Sequence, residues 1–91
     1  VLAIARALHF GARVLILDEP TAALGVRQSD LVLAEIRKTA ERGVAVILVT
    51  PNPHHAHPVG DQFVVLRKGK VAADLGKQDL TVDELAGLMA R

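Results

Sequence analysis

Two continuous apolar runs in the first half of the chain predict a pair of buried strands. They are Val14–Leu17 and Val44–Val49, and they do not alternate with polar residues. Between them, Gly25–Arg42 reads as a helix whose apolar stripe is formed by Val32, Ile36 and Ala40. Arg37 and Glu41 of this helix are predicted to form an exposed ion pair at i,i+4 spacing. A strand, a helix and a strand at this spacing predict a βαβ unit, and the uniformly apolar strands predict a parallel sheet buried on both faces.

The second half of the chain has a different pattern. Three prolines in Pro51–Gly60 limit any helix there to one or two turns. Phe63–Leu66 and Val71–Asp74 flank the dipeptide Lys68-Gly69, which predicts a β-hairpin. The segment Thr81–Glu84 has the form of a capping box, and it opens a last helix whose predicted inward residues are Val82, Leu85 and Met89.

The beginning of the chain is also helical in pattern. Val1–Phe10 is mostly apolar, and Gly11 provides a C-terminal stop. Because the chain opens directly on this pattern with Val1 rather than Met, we expect it to be the C-terminal piece of a longer protein. We expect no signal peptide, and no apolar run in the 91 residues is long enough to span a bilayer.

Composition narrows the classes of function. Of the 91 residues, 51% are hydrophobic, but only two are Phe and none is Trp or Tyr, which predicts an aliphatic α/β interior. The net charge of +1 gives no electrostatic reason to expect a nucleic-acid partner. The absence of Cys excludes disulfides, thiolate nucleophiles and Cys-based zinc sites from this sequence.

The candidate chemistry lies at the end of the first strand, where Asp18 and Glu19 follow Leu17 directly. Ligands of parallel α/β sheets bind beyond the carboxyl ends of the strands. Paired carboxylates there are costly unless a cation accompanies them, and Mg²⁺ carried by nucleotide phosphates is a suitable one. The first acid would then act on the metal ion, and the second would act on a water molecule. The alternative is a strand with an acidic end, in which Asp18 caps a helix.

The residues after this pair make the pattern more specific. The string Asp18-Glu19-Pro20-Thr21-Ala22-Ala23-Leu24 resembles the Walker B and D-loop segment of ATP-binding cassette (ABC) ATPases. That resemblance implies ATP and Mg²⁺ as cofactors. It implies that Asp18 holds the water shell of Mg²⁺ and that Glu19 is the base that polarises the attacking water.

The resemblance also assigns Ala23, Leu24 and Gly25 to the D-loop, which crosses to a partner subunit. The usual Asp of the family is Gly25 here, so a carboxylate contact across the dimer is missing, and Gly25 is equally well interpreted as a helix N-cap. The Ala-Ala-Leu-Gly version, the run Asn52–Asp61 and the following Phe63–Leu66 are similar to the ATPase subunits of ribose and fructose importers.

One position departs from the family pattern. After the second strand the family has Thr-His-Asn, in which the switch histidine touches the γ-phosphate, whereas this chain has Thr50-Pro51-Asn52. Proline has neither a ring nitrogen nor a backbone donor, so Pro51 cannot contact the γ-phosphate in that way. His54 lies three residues further on, past another proline, and is a poor substitute. We therefore expect hydrolysis to be severely impaired.

Two polar clusters have both a functional and an ordinary interpretation. His54, His55 and His57 could share a metal ion, but a solvated loop bounded by prolines is the favoured account. The run Arg67–Lys70 is favoured as a charged hairpin turn over a phosphate-binding site. The tail Lys77–Arg91 is interpreted as a packing helix.

The resemblance covers essentially all 91 residues and implies an architecture. The fold class is α/β: a partial P-loop NTPase (RecA-like) core with parallel strands, a C-terminal β-hairpin and a terminal helix. Residues 1–91 would be the C-terminal part of an ABC nucleotide-binding domain, with the Walker A and signature motifs absent. The implied partners are transmembrane permease subunits, a second nucleotide-binding domain and a periplasmic or extracellular sugar-binding protein. The implied location is the cytoplasmic face of the membrane.

Three functions follow from these observations. The first is a fragment of the ATP-hydrolysing subunit of a carbohydrate importer. The second is a non-transport ABC ATPase acting on DNA or ribosomes, which the charge does not support. The third is a non-catalytic remnant that docks against partner domains. Because the sequence has no G-x-x-x-x-G-K-[ST] loop, we expect the isolated chain neither to bind nor to hydrolyse ATP measurably.

Overall fold

A computed structural model of the chain describes residue 11 and residues 13–90. The helix predicted over Val1–Phe10 lies outside the described residues. The chain divides into two compact units, Val1–Thr50 and Pro51–Arg91. The helices of the described part have at most 16 residues, and none carries the sustained apolar run that a bilayer crossing requires.

The described part of the first unit is a βαβ motif. Strand β1 (Val14–Asp18) is followed by helix α1 (Val26–Glu41) and strand β2 (Ala45–Val49). The two strands pair in parallel, in a register that runs from Val14 opposite Ala45 to Asp18 opposite Val49. The α/β class and the parallel pairing predicted from the sequence are therefore confirmed.

Helix α1 packs through one face. Its buried residues are Ser29, Val32, Leu33, Ile36 and Thr39. The buried Thr39 hydroxyl donates to the Glu35 carbonyl at 2.9 Å, which satisfies a polar group that would otherwise be costly to bury. On the opposite side Arg37 and Glu41 form the predicted i,i+4 ion pair at 3.5 Å, and because both side chains are exposed the pair adds little stability.

The prediction that the sheet is buried on both faces is wrong for the described residues. Leu15 is only 8% exposed, whereas Val14, Ile16, Ile47 and Val49 are 48–69% exposed. Burial alternates along both strands. The reason is that α1 is the one layer that the described part of this unit places on the sheet, and a single layer covers one face.

Small residues set the ends of α1. The helix begins at Val26 rather than at the predicted Gly25, because Gly25 is extended (φ −69°, ψ 169°) and stands at the N-cap. It ends with Arg42 as the C-cap, and Gly43 follows at φ +92°, a conformation that glycine adopts without steric cost.

The second unit begins with a short helix and a hairpin. Helix α2 (Pro53–Val59) has roughly two turns, as the prolines predicted, and Asn52 caps it by accepting from the His54 amide at 2.9 Å. Strands β3 (Gln62–Arg67) and β4 (Lys70–Gly76) pair antiparallel. The turn residues Lys68 and Gly69 both have positive φ, as a two-residue type I′ turn requires.

A last helix completes this unit. Helix α3 (Val82–Ala90) follows a 3₁₀ turn at Lys77–Asp79 that the sequence analysis did not predict. The predicted capping box is formed. The Thr81 amide donates to Glu84 Oε1 at 2.9 Å, and the Glu84 amide donates to Thr81 Oγ1 at 3.2 Å. Of the helix residues predicted to face inward, Leu85 is buried in a core with Phe63, Val65 and Leu80, and Val82 and Met89 are half-buried.

The capping box gives a stability prediction. We expect Thr81→Ala to lower the free energy of unfolding by about 1 kcal/mol, because the Glu84 amide loses its acceptor. Thr81→Ser keeps the hydroxyl and should stay within about 0.5 kcal/mol of the parent chain. Urea unfolding followed by circular dichroism measures both variants. Equal stability of the Ala and Ser variants would show that the hydroxyl does not cap the helix.

Candidate functional site

The two candidate acids lie at the carboxyl end of the parallel sheet. Asp18 is the last residue of β1 and stands opposite Val49, the last residue of β2. Glu19 follows, and its amide donates to the Val49 carbonyl at 2.7 Å. Both acidic residues are exposed. The alternative interpretation of Asp18 as a helix cap is wrong, because Asp18 belongs to the strand and α1 is capped by Gly25.

The acids open a compact turn rather than an extended loop. The Ala22 amide donates to the Glu19 carbonyl at 3.1 Å, and the Leu24 amide donates to the Thr21 carbonyl at 3.2 Å. Thr21, in the middle of the turn, is buried, with 7% of its surface exposed. Glu19 and Ala23 have φ of 49° and 62°, in the left-handed region. The sequence analysis missed both, because this conformation is normally signalled by Gly or Asn, which neither position has.

The three residues assigned to the D-loop lead from this turn into α1. Ala23, Leu24 and Gly25 are all exposed, and Leu24 is 42% exposed. Gly25 acts as the N-cap, and its carbonyl accepts from the Ser29 amide at 2.9 Å. The N-cap interpretation is therefore confirmed. The contact with a partner subunit stays a prediction, which the exposure of these residues permits.

The donor set at Asp18 and Glu19 suits one kind of metal. Among the described residues, no three or more His, Cys, Asp or Glu side chains are grouped so that they could enclose an ion. Mg²⁺ does not need such a cage, because it keeps several waters and is commonly held by one or two carboxylates together with substrate phosphates. Two exposed carboxylates at a strand end fit that mode of binding.

Pro51 occupies the position where the family pattern has histidine. It is exposed and is the first residue of the second unit. It follows Thr50, which comes directly after β2, so the chain reaches this position immediately beyond the strand that pairs with the acidic end of β1. The ring offers neither an acceptor nor a donor to a phosphate.

The histidine cluster is organised differently from the predicted solvated loop. His57 Nε2 donates to the Leu80 carbonyl at 3.1 Å, and its ring stacks on Phe63 with centroids 5.6 Å apart and planes at 4°. The His54 amide serves the helix cap. All three histidines therefore lie on the short helix α2, and His57 connects this helix to the core of the second unit. Sequence reasoning missed this role because Leu80 is 23 residues away.

The basic run forms a hairpin turn, as favoured from the sequence. Lys68 and Lys70 are exposed around the turn. The Arg67 guanidinium instead donates to the Leu88 carbonyl near the end of α3. A cation at a helix C-terminus satisfies a free carbonyl and interacts favourably with the helix dipole.

The chain has clear relatives among known proteins, although no protein-family model matches it. It is 38% identical over 87 residues to the fructose import ATP-binding protein of Rhizobium meliloti. It is 36% identical over 87 residues to the xylose/arabinose import ATP-binding protein of Sulfolobus acidocaldarius. It is 35% identical over 86 residues to the ribose import ATP-binding protein of Yersinia pestis.

These matches take in nearly the whole chain but only part of each relative. They cover 96%, 96% and 94% of this chain. They cover 34%, 35% and 17% of the fructose, xylose/arabinose and ribose proteins. The chain thus spans about a third of the first two relatives and about a sixth of the third.

Proposed function

Because the chain belongs to the ABC family of sugar-import ATP-binding proteins, we propose that it is the C-terminal part of such a subunit's nucleotide-binding domain. In this proposal the strands β1 and β2 belong to a RecA-like P-loop NTPase core. The Walker A loop and the signature motif, which the 91 residues do not contain, belong to the rest of that domain. The reaction is ATP hydrolysis coupled to carbohydrate uptake.

The observation that carries the proposal is the acidic pair at the carboxyl edge of a parallel β-α-β unit. Asp18 is suited to accept hydrogen bonds from metal-bound water, because its carboxylate stands exposed at the strand end. Glu19 is suited to orient the attacking water and take its proton. Mg²⁺, when bound, would supply neutralisation of the phosphate charge.

The partners follow from the relatives' role in import. Transmembrane permease subunits, a second nucleotide-binding domain and an external sugar-binding protein would complete the transporter. The exposed segment Ala23–Gly25 is then available to a second nucleotide-binding domain. The subunit would sit at the cytoplasmic face of the membrane.

Pro51 favours a second candidate function. With no group at position 51 to contact the γ-phosphate, the chain would contribute to a domain that binds nucleotide and docks against its partners but turns over slowly. The two candidates differ in hydrolysis and agree in binding. They can therefore be separated by measuring turnover in variants at this position.

A chimera tests the proposal. Residues 1–91 replace the matching third of the Rhizobium meliloti fructose import ATP-binding protein, which supplies the remaining part of the domain. We expect the chimera to bind ATP in the presence of Mg²⁺. The proposal would be contradicted by a folded chimera whose affinity for ATP does not depend on Mg²⁺.

Asp18 provides the specific prediction for this chimera. We expect Asp18→Asn to raise the Mg²⁺ concentration for half-maximal ATP binding about tenfold, because a charge-assisted hydrogen bond to metal-bound water is lost. Asp30→Asn, which neutralises an exposed acid on α1, is the matched control and should leave it unchanged. Titration of Mg²⁺ against a fluorescent ATP analogue measures both. If Asp18→Asn needs the same Mg²⁺ concentration for half-maximal ATP binding as its parent, Asp18 does not take part in metal binding.

A further inference from the structure

Helix α2 is too short and too exposed to hold its own position. It has seven residues, all of them described by the structure, and none of them is buried. Isolated helices of this length are unstable in water, because few hydrogen bonds offset the cost of starting the helix. Pro58 lies inside α2 and has no amide proton, so the helix also lacks a hydrogen bond there. Contacts from outside the helix must therefore hold α2 in place.

These contacts come from Lys77–Leu80, a segment between β4 and α3 that we call the clamp. The first residue of the clamp donates twice, from Nζ to the Pro58 carbonyl and from its amide to the Asp61 carbonyl, both at 3.0 Å. The last residue, Leu80, accepts from His57 Nε2 at 3.1 Å. The clamp is therefore bonded to the last turn of α2 and to the chain just after it.

The clamp and the end of α2 are both fixed to the core of the second unit. Leu80 is buried, with 6% of its surface exposed, and belongs to the same core as Phe63 and Leu85. The His57 ring stacks on the Phe63 ring with the two centroids 5.6 Å apart. Gly60 caps the helix so close to this ring that an added Cβ would stand 2.5 Å from Cε1 of Phe63. The C-terminal end of α2 therefore has little freedom to shift on the core.

The other end of α2 leads directly to position 51. Asn52 caps the helix by accepting from the His54 amide at 2.9 Å, and Pro51 precedes this cap. The two turns of α2 join the cap to the clamped end, so the clamp also restrains the backbone that enters the helix. We propose that the clamp fixes the backbone at position 51, which makes His57 and Lys77 positioning residues for a phosphate-contacting side chain at that position. This inference rests on the proposed function and deepens it.

The clamp itself is tested on the 91-residue chain without nucleotide. His57→Phe keeps an aromatic ring at the stack but loses the hydrogen bond to the clamp. We expect hydrogen exchange at the Ala56 amide, inside α2, to become about fivefold faster, which corresponds to the loss of one hydrogen bond. Lys77→Met, which keeps the aliphatic stem and loses the ammonium group, should have a similar effect. Amide exchange followed by NMR measures both variants.

Two controls make this result specific to the clamp. His54→Phe is the same change at an exposed ring of α2 and should leave exchange at Ala56 unchanged. Exchange at the Ser29 amide of α1, which bonds to the Gly25 carbonyl in the other unit, should also be unchanged in every variant. Exchange at Ala56 that is as slow in His57→Phe and Lys77→Met as in the parent would overturn the clamp.

The positioning role is tested by kinetics in two backgrounds, the chimera and the chimera carrying Pro51→His. We expect His57→Phe to lower kcat about fivefold in the Pro51→His background, with KM for ATP unchanged, because one hydrogen bond of the clamp is lost. In the background that keeps Pro51 it should leave kcat unchanged, since proline offers no group to be positioned. His57→Gln, which keeps a donor for the clamp, should retain most of kcat in both backgrounds.

The comparison of backgrounds separates positioning from general damage to the fold. Residues that act through one another give non-additive effects, whereas independent sites give additive ones. An equal loss of kcat from His57→Phe in both backgrounds would therefore overturn the positioning role. If Pro51→His brings no gain in turnover, the positioning role is overturned together with the proposed function of position 51. Hydrogen exchange in the 91-residue chain would still decide whether the clamp exists.

Discussion

Glu19→Gln lowers ATP turnover by about 10²- to 10⁴-fold in the chimera carrying Pro51→His, if Glu19 is the general base of the reaction. The amide has nearly the shape of the carboxylate but accepts no proton from the attacking water. Because Glu19 is exposed at the strand end, its loss leaves no buried group unpaired, and folding should be preserved. ATP affinity should be unchanged. Phosphate release and equilibrium ATP binding, measured on the same preparation, separate the two effects.

The control for this variant is Glu41→Gln. Glu41 is an exposed acid of α1 whose ion pair with Arg37 contributes little, so turnover should stay within a factor of two. A Glu19→Gln variant that hydrolyses ATP as fast as its parent would remove Glu19 from the chemistry. The sheet-edge acid would then be explained as part of a tight turn.

Pro51→His raises ATP turnover of the chimera at least tenfold and as much as about a hundredfold, since it restores a side chain that can donate to the γ-phosphate. Because position 51 is exposed, the larger side chain can be accommodated without displacing a buried group. Fructose uptake by cells that carry the chimera in place of the native subunit should rise in parallel. Steady-state phosphate release is the direct measurement.

Pro53→His is the matched control for that gain. It introduces the same side chain two residues further on, at the first position of α2, and should leave turnover unchanged. If Pro51→His gives no gain over the parent chimera, the interpretation of Pro51 as the cause of impaired hydrolysis is refuted. Equal gains in turnover from both variants would show that the effect of the histidine does not depend on its position.

The features that the sequence predicted are those that depend on local chemistry. The capping box at Thr81 and Glu84, the two-residue turn at Lys68 and Gly69, and the ion pair of Arg37 with Glu41 each need only residues a few positions apart. The parallel pairing of β1 and β2 also followed, because a strand, a helix and a strand of this length leave few other arrangements.

The features that the sequence did not predict depend on distant contacts or on backbone strain. His57 packs on Phe63 and Leu80, which are brought to it by the hairpin and the following turn. The left-handed backbone of Glu19 is imposed by a hydrogen bond to Val49, 30 positions later, against the residue's own preference. The one-sided burial of the sheet depends on how many helical layers pack against it. An apolar run predicts a strand but does not indicate how many layers will cover that strand.

The uncovered face of β1 and β2 has a practical consequence for anyone handling this polypeptide. This face is an apolar surface exposed to solvent, formed by Val14, Ile16, Ile47 and Val49. Surfaces of this kind make molecules adhere to one another, and sulfate or phosphate strengthens the adhesion. Purification at high dilution in low-salt buffer, or attachment to the remaining two thirds of a homologous subunit, is therefore the route to a well-behaved sample.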